Sequence, residues 1–114
     1  MSQRRMVHSK IWASDQVGAI SDPARVLYVG TITLSDDEGR LRASPAYLRG
    51  QVFPYDDKTI ENVTELRAEL VNQKLVHLYE HDGAEYMYHP RWLDYQWIRK
   101  DRFRKSQLPK PRTA

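Results

Sequence analysis

The chain is predicted to fold as one α+β domain of the winged helix-turn-helix class, a three-helix core with a β-hairpin wing. Three observations carry the prediction. Two cap-then-proline starts, Asp22-Pro23 and Ser44-Pro45, open helices in the first half of the chain. An amphipathic stretch follows from Asp56 or Asp57 to about Gln73. Two apolar and aromatic runs then flank Asp82-Gly83, a pair that tolerates the positive φ angles of a tight hairpin. With 114 residues there is enough chain for one core and too little for two. The expected organisation is an N-terminal arm over 1–20, the winged-helix domain over 21–98 and a basic flexible tail over 99–114.

In order, Val7 to Trp12 is read as an extended arm anchored by Ile11 and Trp12, and Ser14 to Val17 as a short capped turn or helix. The first full helix starts with Asp22 as cap and Pro23 at the first helical position, where a missing N–H costs nothing. Ala24, Leu27, Thr31 and Leu34 then recur at helical spacing, flanked by Tyr28 and Ile32. Asp36-Asp37-Glu38-Gly39 ends the helix and reads as a solvated acidic turn rather than a metal site. Arg40-Leu41-Arg42 makes a short strand, and the second helix runs from Ser44 until Gly50 and Pro54 stop it.

On the third helix Ile60, Val63, Leu66 and Leu70 share one face, with Val71 beside them. For the hairpin, a two-residue turn pairs His81 with Ala84, which sets Leu78 opposite Met87, Tyr79 opposite Tyr86, His77 opposite Tyr88 and Glu80 opposite Glu85. One side is aliphatic, the other aromatic and polar. Trp92, Leu93, Tyr95, Trp97 and Ile98 supply a last apolar cluster expected to pack on the domain.

Composition narrows the function. The absence of cysteine excludes disulfides, thiolate metal sites and cysteine nucleophiles, and points to a reducing cytoplasm. No apolar run has signal-peptide or membrane-spanning length, so a soluble protein away from membranes is expected. His8, His77, His81 and His89 read as surface or packing residues, and no phosphate loop, nucleophile elbow or catalytic carboxylate pair is present in the sequence. Neither enzymatic activity nor a cofactor or metal is expected.

Charge is unevenly spread. Residues 1–90 carry 10 basic and 13 acidic side chains, whereas residues 91–114 carry 8 basic and 2 acidic ones. An acidic body ending in a basic tail suits contact with a phosphate backbone, because each neutralised phosphate releases a counterion. On the third helix, Glu61, Glu65 and Glu69 make an acidic stripe that would repel phosphates, so either the stripe faces away from DNA or DNA is not read there. Lys58, Asn62 and Arg67 are the groove-facing candidates beside it, with Arg40, Arg42 and Arg49 holding backbone on one flank and Arg99, Lys100, Arg102, Arg104 and Lys105 on another. The aromatic wing face (Tyr79, Tyr86, Tyr88) has three open readings: cross-strand packing, an oligomer contact, or a stacking surface for single strands.

Taken in order, Ile11-Trp12, Ala24-Arg25-Val26-Leu27-Tyr28, Leu34 to Leu41, Phe53-Pro54, Glu69-Leu70, Leu75-Val76, the Tyr79 hairpin, Trp92, Tyr95-Gln96 and Ser106-Gln107-Leu108-Pro109 resemble a known group. They are similar to the DnaD-like winged-helix domains at the N-termini of phage replisome organisers and replication-initiation proteins. The resemblance spans about residues 4–109. It implies DNA binding or oligomer scaffolding during replication initiation in a bacterial host, with other replication proteins as partners. Because the sequence ends at Ala114, the helicase-contacting part of longer relatives is not expected in it. Two alternatives stay open at this point: a protein–protein assembly module working as a homo-oligomer, and a small transcription regulator.

Overall fold

The structure, a computed structural model, describes residues 4–111; the ends of the expected arm (1–3) and tail (112–114, with Arg112) lie outside them. A 3-10 turn over Ser9–Ala13 leads into α1 (Asp15–Gly18), α2 (Asp22–Leu34), β1 (Arg40–Arg42), α3 (Pro45–Val52), α4 (Ile60–Asn72), β2 (His77–His81), β3 (Ala84–Tyr88) and α5 (Trp92–Tyr95). Helices α2, α3 and α4 pack on one another. The strands form one antiparallel sheet in the order β1-β3-β2. The result is a compact α+β fold, five helices and a three-stranded sheet among the described residues, compatible with a winged-helix arrangement.

The helix starts follow from side chains that accept the orphan backbone donors of a first turn. Ser21, one residue earlier than expected, caps α2 through the Ala24 N–H, which puts Pro23 in the second position. Ser44 caps α3 through Tyr47 as expected. Gly50 does not stop that helix, which continues to Val52.

The cap of α4 is Thr59 rather than Asp56 or Asp57. The Asp56 amide closes a turn onto Phe53, and Lys58 both pairs with Asp56 at 2.9 Å and lies 4.9 Å from the Phe53 ring centre. Those residues are folded against the end of α3, so the helix begins only where Thr59 and Asn62 exchange a reciprocal capping box. At the other end Lys74 adopts a left-handed φ of 59°. Its N–H reaches Val71 O and the Leu75 N–H reaches Leu70 O, a Schellman closure with Leu70 and Leu75 both in the core.

The hairpin forms in the expected register, His81 opposite Ala84 through His77 opposite Tyr88. Asp82 and Gly83 carry φ of 52° and 80°, the conformation of a two-residue turn that matches strand twist. Because residues alternate across a strand, Leu41 and Met87 point into the helices and are fully buried, while Arg40, Arg42, Tyr86, Tyr88, Tyr79 and His77 share the outer face.

Around Leu27, Leu48, Val63, Leu70 and Val76 the core is close-packed. Of the two expected anchors of the arm, one reaches it. Ile11 packs against the core, but Trp12 is 68% exposed. Of the last apolar cluster only Trp92 is buried; Leu93, on the far side of the single-turn α5, and Trp97, beyond its end, are about three-quarters exposed.

Candidate nucleic-acid interface

The residues that organise this surface are the three carboxylates expected to be solvated. Asp36 folds back on its own turn, its Oδ1 accepting the Glu38 and Arg40 amides. Asp37 is 4% exposed. Its Oδ1 accepts from Arg5 at 2.8 Å, its Oδ2 from the Arg104 amide at 2.8 Å, and its carbonyl from the Trp92 indole at 2.9 Å. Ser106 donates its amide to Glu38 at 2.6 Å and its hydroxyl to Asp36. The turn is therefore a clasp that holds the N-terminal arm and the returning C-terminal segment against the body. A second tie fixes the arm: Met6 and Gln96 exchange bonds of 2.9 and 2.6 Å.

The clasp corrects the expectation of a free tail over much of its length. Residues 104–109 run back over the sheet, where Arg40 Nη1 donates to Leu108 O and Tyr79 Oη donates to Pro109 O at 2.7 Å. Burial pushes the Tyr79 hydroxyl above its usual range and keeps it a donor. The physical reason is hydrogen bonding: the carboxylates of the turn accept the Arg104 and Ser106 amides and the Ser106 hydroxyl, while the Arg104 and Lys105 cations are left unpaired among the described residues.

An open groove of about 330 Å³ lies between β1 and the returning segment. Arg5, Arg40 and Arg42 stand along it with Arg104 and Lys105, five cations against the two carboxylates Asp36 and Asp37 that also line it, and Tyr47 of α3 contributes to the wall. Two of these cations are already neutralised, Arg5 by Asp37 and Arg40 by Glu38. Among the described residues Arg42, Arg104 and Lys105 have no carboxylate partner within 4.0 Å and are exposed.

The remaining candidates divide. Arg49, Lys100 and Arg102 are exposed outside this groove, and Arg99 is paired with Asp101 at 3.0 Å. Lys58 is engaged with Asp56, and Asn62 spends its carbonyl oxygen on the Thr59 amide.

Arg67 overturns its expected role. It points inward, 9% exposed, giving 2.6 Å to the Ala43 carbonyl and 3.2 Å to Glu85. There it satisfies the carbonyl just past β1 and pairs with Glu85, the residue opposite Glu80 in the ladder. Position 67 lies close to the centre of the apolar stripe on a helical projection, so a cation read as surface was within reach of the core.

The acidic stripe of α4 also splits. Glu69 turns toward α2 and accepts the Ser21 amide and hydroxyl at 2.7 and 2.8 Å. Glu61 and Glu65 remain exposed, and the outward face they share with Ala68 and Asn72 carries no cation.

A smaller pocket of about 130 Å³ under the arm is walled by Ile11, Val17, Tyr28, Ile32 and Trp92, with His89 at its edge. Burial lowers the His89 pKa to about 4, so the ring is neutral near pH 7. His77 stacks on Tyr88, His81 faces Asp82 and His8 caps the Lys10 amide. Among the described residues no three His, Asp or Glu side chains are grouped so as to hold a metal ion, and no helix is long and apolar enough to cross a membrane. Compared with family models, curated proteins and solved structures, the chain matches none.

Proposed function

We propose that this chain is a winged-helix nucleic-acid-binding domain that grips the phosphate backbone along the groove between β1 and residues 104–107, rather than inserting α4 into the major groove. The observation that carries the reading is the contrast between two surfaces. The groove gathers Arg42, Arg104 and Lys105 without a carboxylate partner, whereas the outward face of α4 presents Glu61 and Glu65. Phosphates are drawn to the first and repelled by the second. The DnaD-like resemblance gives the biological setting, phage-type replication initiation, and the order of helices and strands is consistent with it.

Binding of a labelled duplex, followed by fluorescence anisotropy across a salt series, tests the reading. Each phosphate contact contributes about 0.9 to the slope of log affinity against log salt, so R42A/R104A/K105A lowers that slope by about 2 to 3. E61Q/E65Q leaves affinity nearly unchanged. A triple variant that binds like the parent, or a large gain from E61Q/E65Q, refutes the groove.

One observation favours a second reading, an assembly module. Leu93 and Trp97 are about three-quarters exposed, and nearby Gln96 is bonded to Met6, itself nearly half exposed, leaving apolar surface of the kind that meets a second copy. Light scattering that finds a dimer in the parent chain and a monomer in L93S/W97S supports that reading.

A further inference from the structure

We infer that the outer face of the sheet is a stacking platform for single-stranded nucleic acid, and that residues 106–109 cover part of it in cis. The inference deepens the nucleic-acid reading and rests on it.

Two cross-strand rows make the platform. Arg40, Tyr88 and His77 stand side by side in one, and Arg42, Tyr86 and Tyr79 in the next. The rings are stacked in pairs, Tyr79 on Tyr86 at 5.6 Å and 25° and His77 on Tyr88 at 5.2 Å and 29°, so each pair leaves its outer ring faces and edges to a base. They do not serve the core, which takes Leu41 and Met87 from the same strands. Each row begins with an arginine at the edge bordering the groove, so a strand whose bases lay on the rings would have its phosphates among Arg42, Arg104 and Lys105. A duplex cannot use such a face, since its bases are stacked on one another. A single strand can, because every base offers a π surface.

The covering segment is built to leave. From the clasp at Asp36 and Glu38 it crosses to Tyr79, held by the Ser106 bonds, the Leu108 and Pro109 carbonyls and the partial burial of those two residues. Upstream, residues 99–103 are all exposed, and their backbone bonds close only on Arg99. The Arg104 amide stays anchored on Asp37, so residues 106–109 can peel away downstream of Lys105 without disturbing the core, uncovering the rings while Arg104 and Lys105 remain beside them.

The test uses the full chain, a labelled oligothymidylate and a duplex of matched length. S106D sets a carboxylate against Asp36 and Glu38, and Y79F removes the bond to Pro109 while keeping the ring. The double variant is expected to be cut faster by trypsin after Arg104 and Lys105 and to bind oligothymidylate at least about fivefold more tightly. Adding Y86L to it lowers that affinity by about tenfold, the effect of losing one stacked base, with duplex binding held as the control for folding and charge. An unchanged trypsin rate overturns the detachable cover. Faster cleavage with unchanged oligothymidylate binding, or indifference to Y86L, overturns the platform while duplex binding still supports the groove. Failure to bind either nucleic acid defeats the proposed function itself.

Discussion

Acidification destabilises this fold through His89, by an amount that follows from its surroundings. The ring is 7% exposed and packed between Tyr28 and Trp92, with centroids 5.7 and 5.5 Å away. Its Nε2 lies 3.2 Å from the Thr31 hydroxyl, which already donates to Tyr28 O at 2.6 Å. That hydroxyl must accept, so the hydrogen-bond network assigns the proton of the neutral ring to Nε2. Burial disfavours the imidazolium and lowers the pKa from 6.5 to about 4.

Between those values the unfolded chain binds the extra proton and the folded chain does not. Stability is therefore complete above about pH 6.5 and is lost as pH falls toward 4. The whole gap corresponds to roughly 3 kcal/mol, of which about 2 kcal/mol is gone by pH 5. For a domain of this size that lowers Tm by about 10 °C. Urea unfolding at pH 7 and pH 5, on the parent and on H89Q, isolates the residue. The parent should lose about 2 kcal/mol more than H89Q between the two conditions. Equal losses would mean that His89 is not held neutral by burial, and the reasoning fails.

Three further outcomes check other parts of the structure. R67A should cost about 2 to 3 kcal/mol of stability by leaving the Ala43 carbonyl and Glu85 without their partner, yet leave duplex affinity intact; calorimetry and anisotropy on the same variant separate this from a DNA contact. G39A should destabilise by at least about 2 kcal/mol, since φ is 82° and a new Cβ would sit 2.7 Å from the buried Trp92 ring; thermal unfolding reads it directly. K74G should raise stability by about 0.5 to 1 kcal/mol by relieving the left-handed strain at the end of α4, a rise in Tm of a few degrees in the same assay.

What was legible in the sequence is what local chemistry determines. The hairpin register followed from one two-residue turn, because Asp82-Gly83 admits the required φ pair and alternation then places every side chain. The α2 and α3 starts followed from cap and proline within a residue. The long-range ties were not legible. Arg5 reaches Asp37, Ser106 reaches Asp36 and Glu38, and Gln96 reaches Met6 across 32 to 90 residues, so no window reveals them. The tail is held by the Arg104 and Ser106 backbone amides and the Ser106 hydroxyl, donors that residue type does not announce, so local reading assigns the turn and the tail separately to solvent and to phosphate. Arg67 was missed for a related reason. A single cation on a helix is usually surface, and only the unmet carbonyl at Ala43 calls it inward.

The groove is tested most directly by mapping amide chemical-shift changes when the full chain is titrated with duplex at low salt. The largest changes should fall at Arg42, Tyr47 and residues 104–107, with Glu61, Glu65, Ala68 and Asn72 nearly still. The reverse pattern, centred on the outward face of α4, would contradict the account.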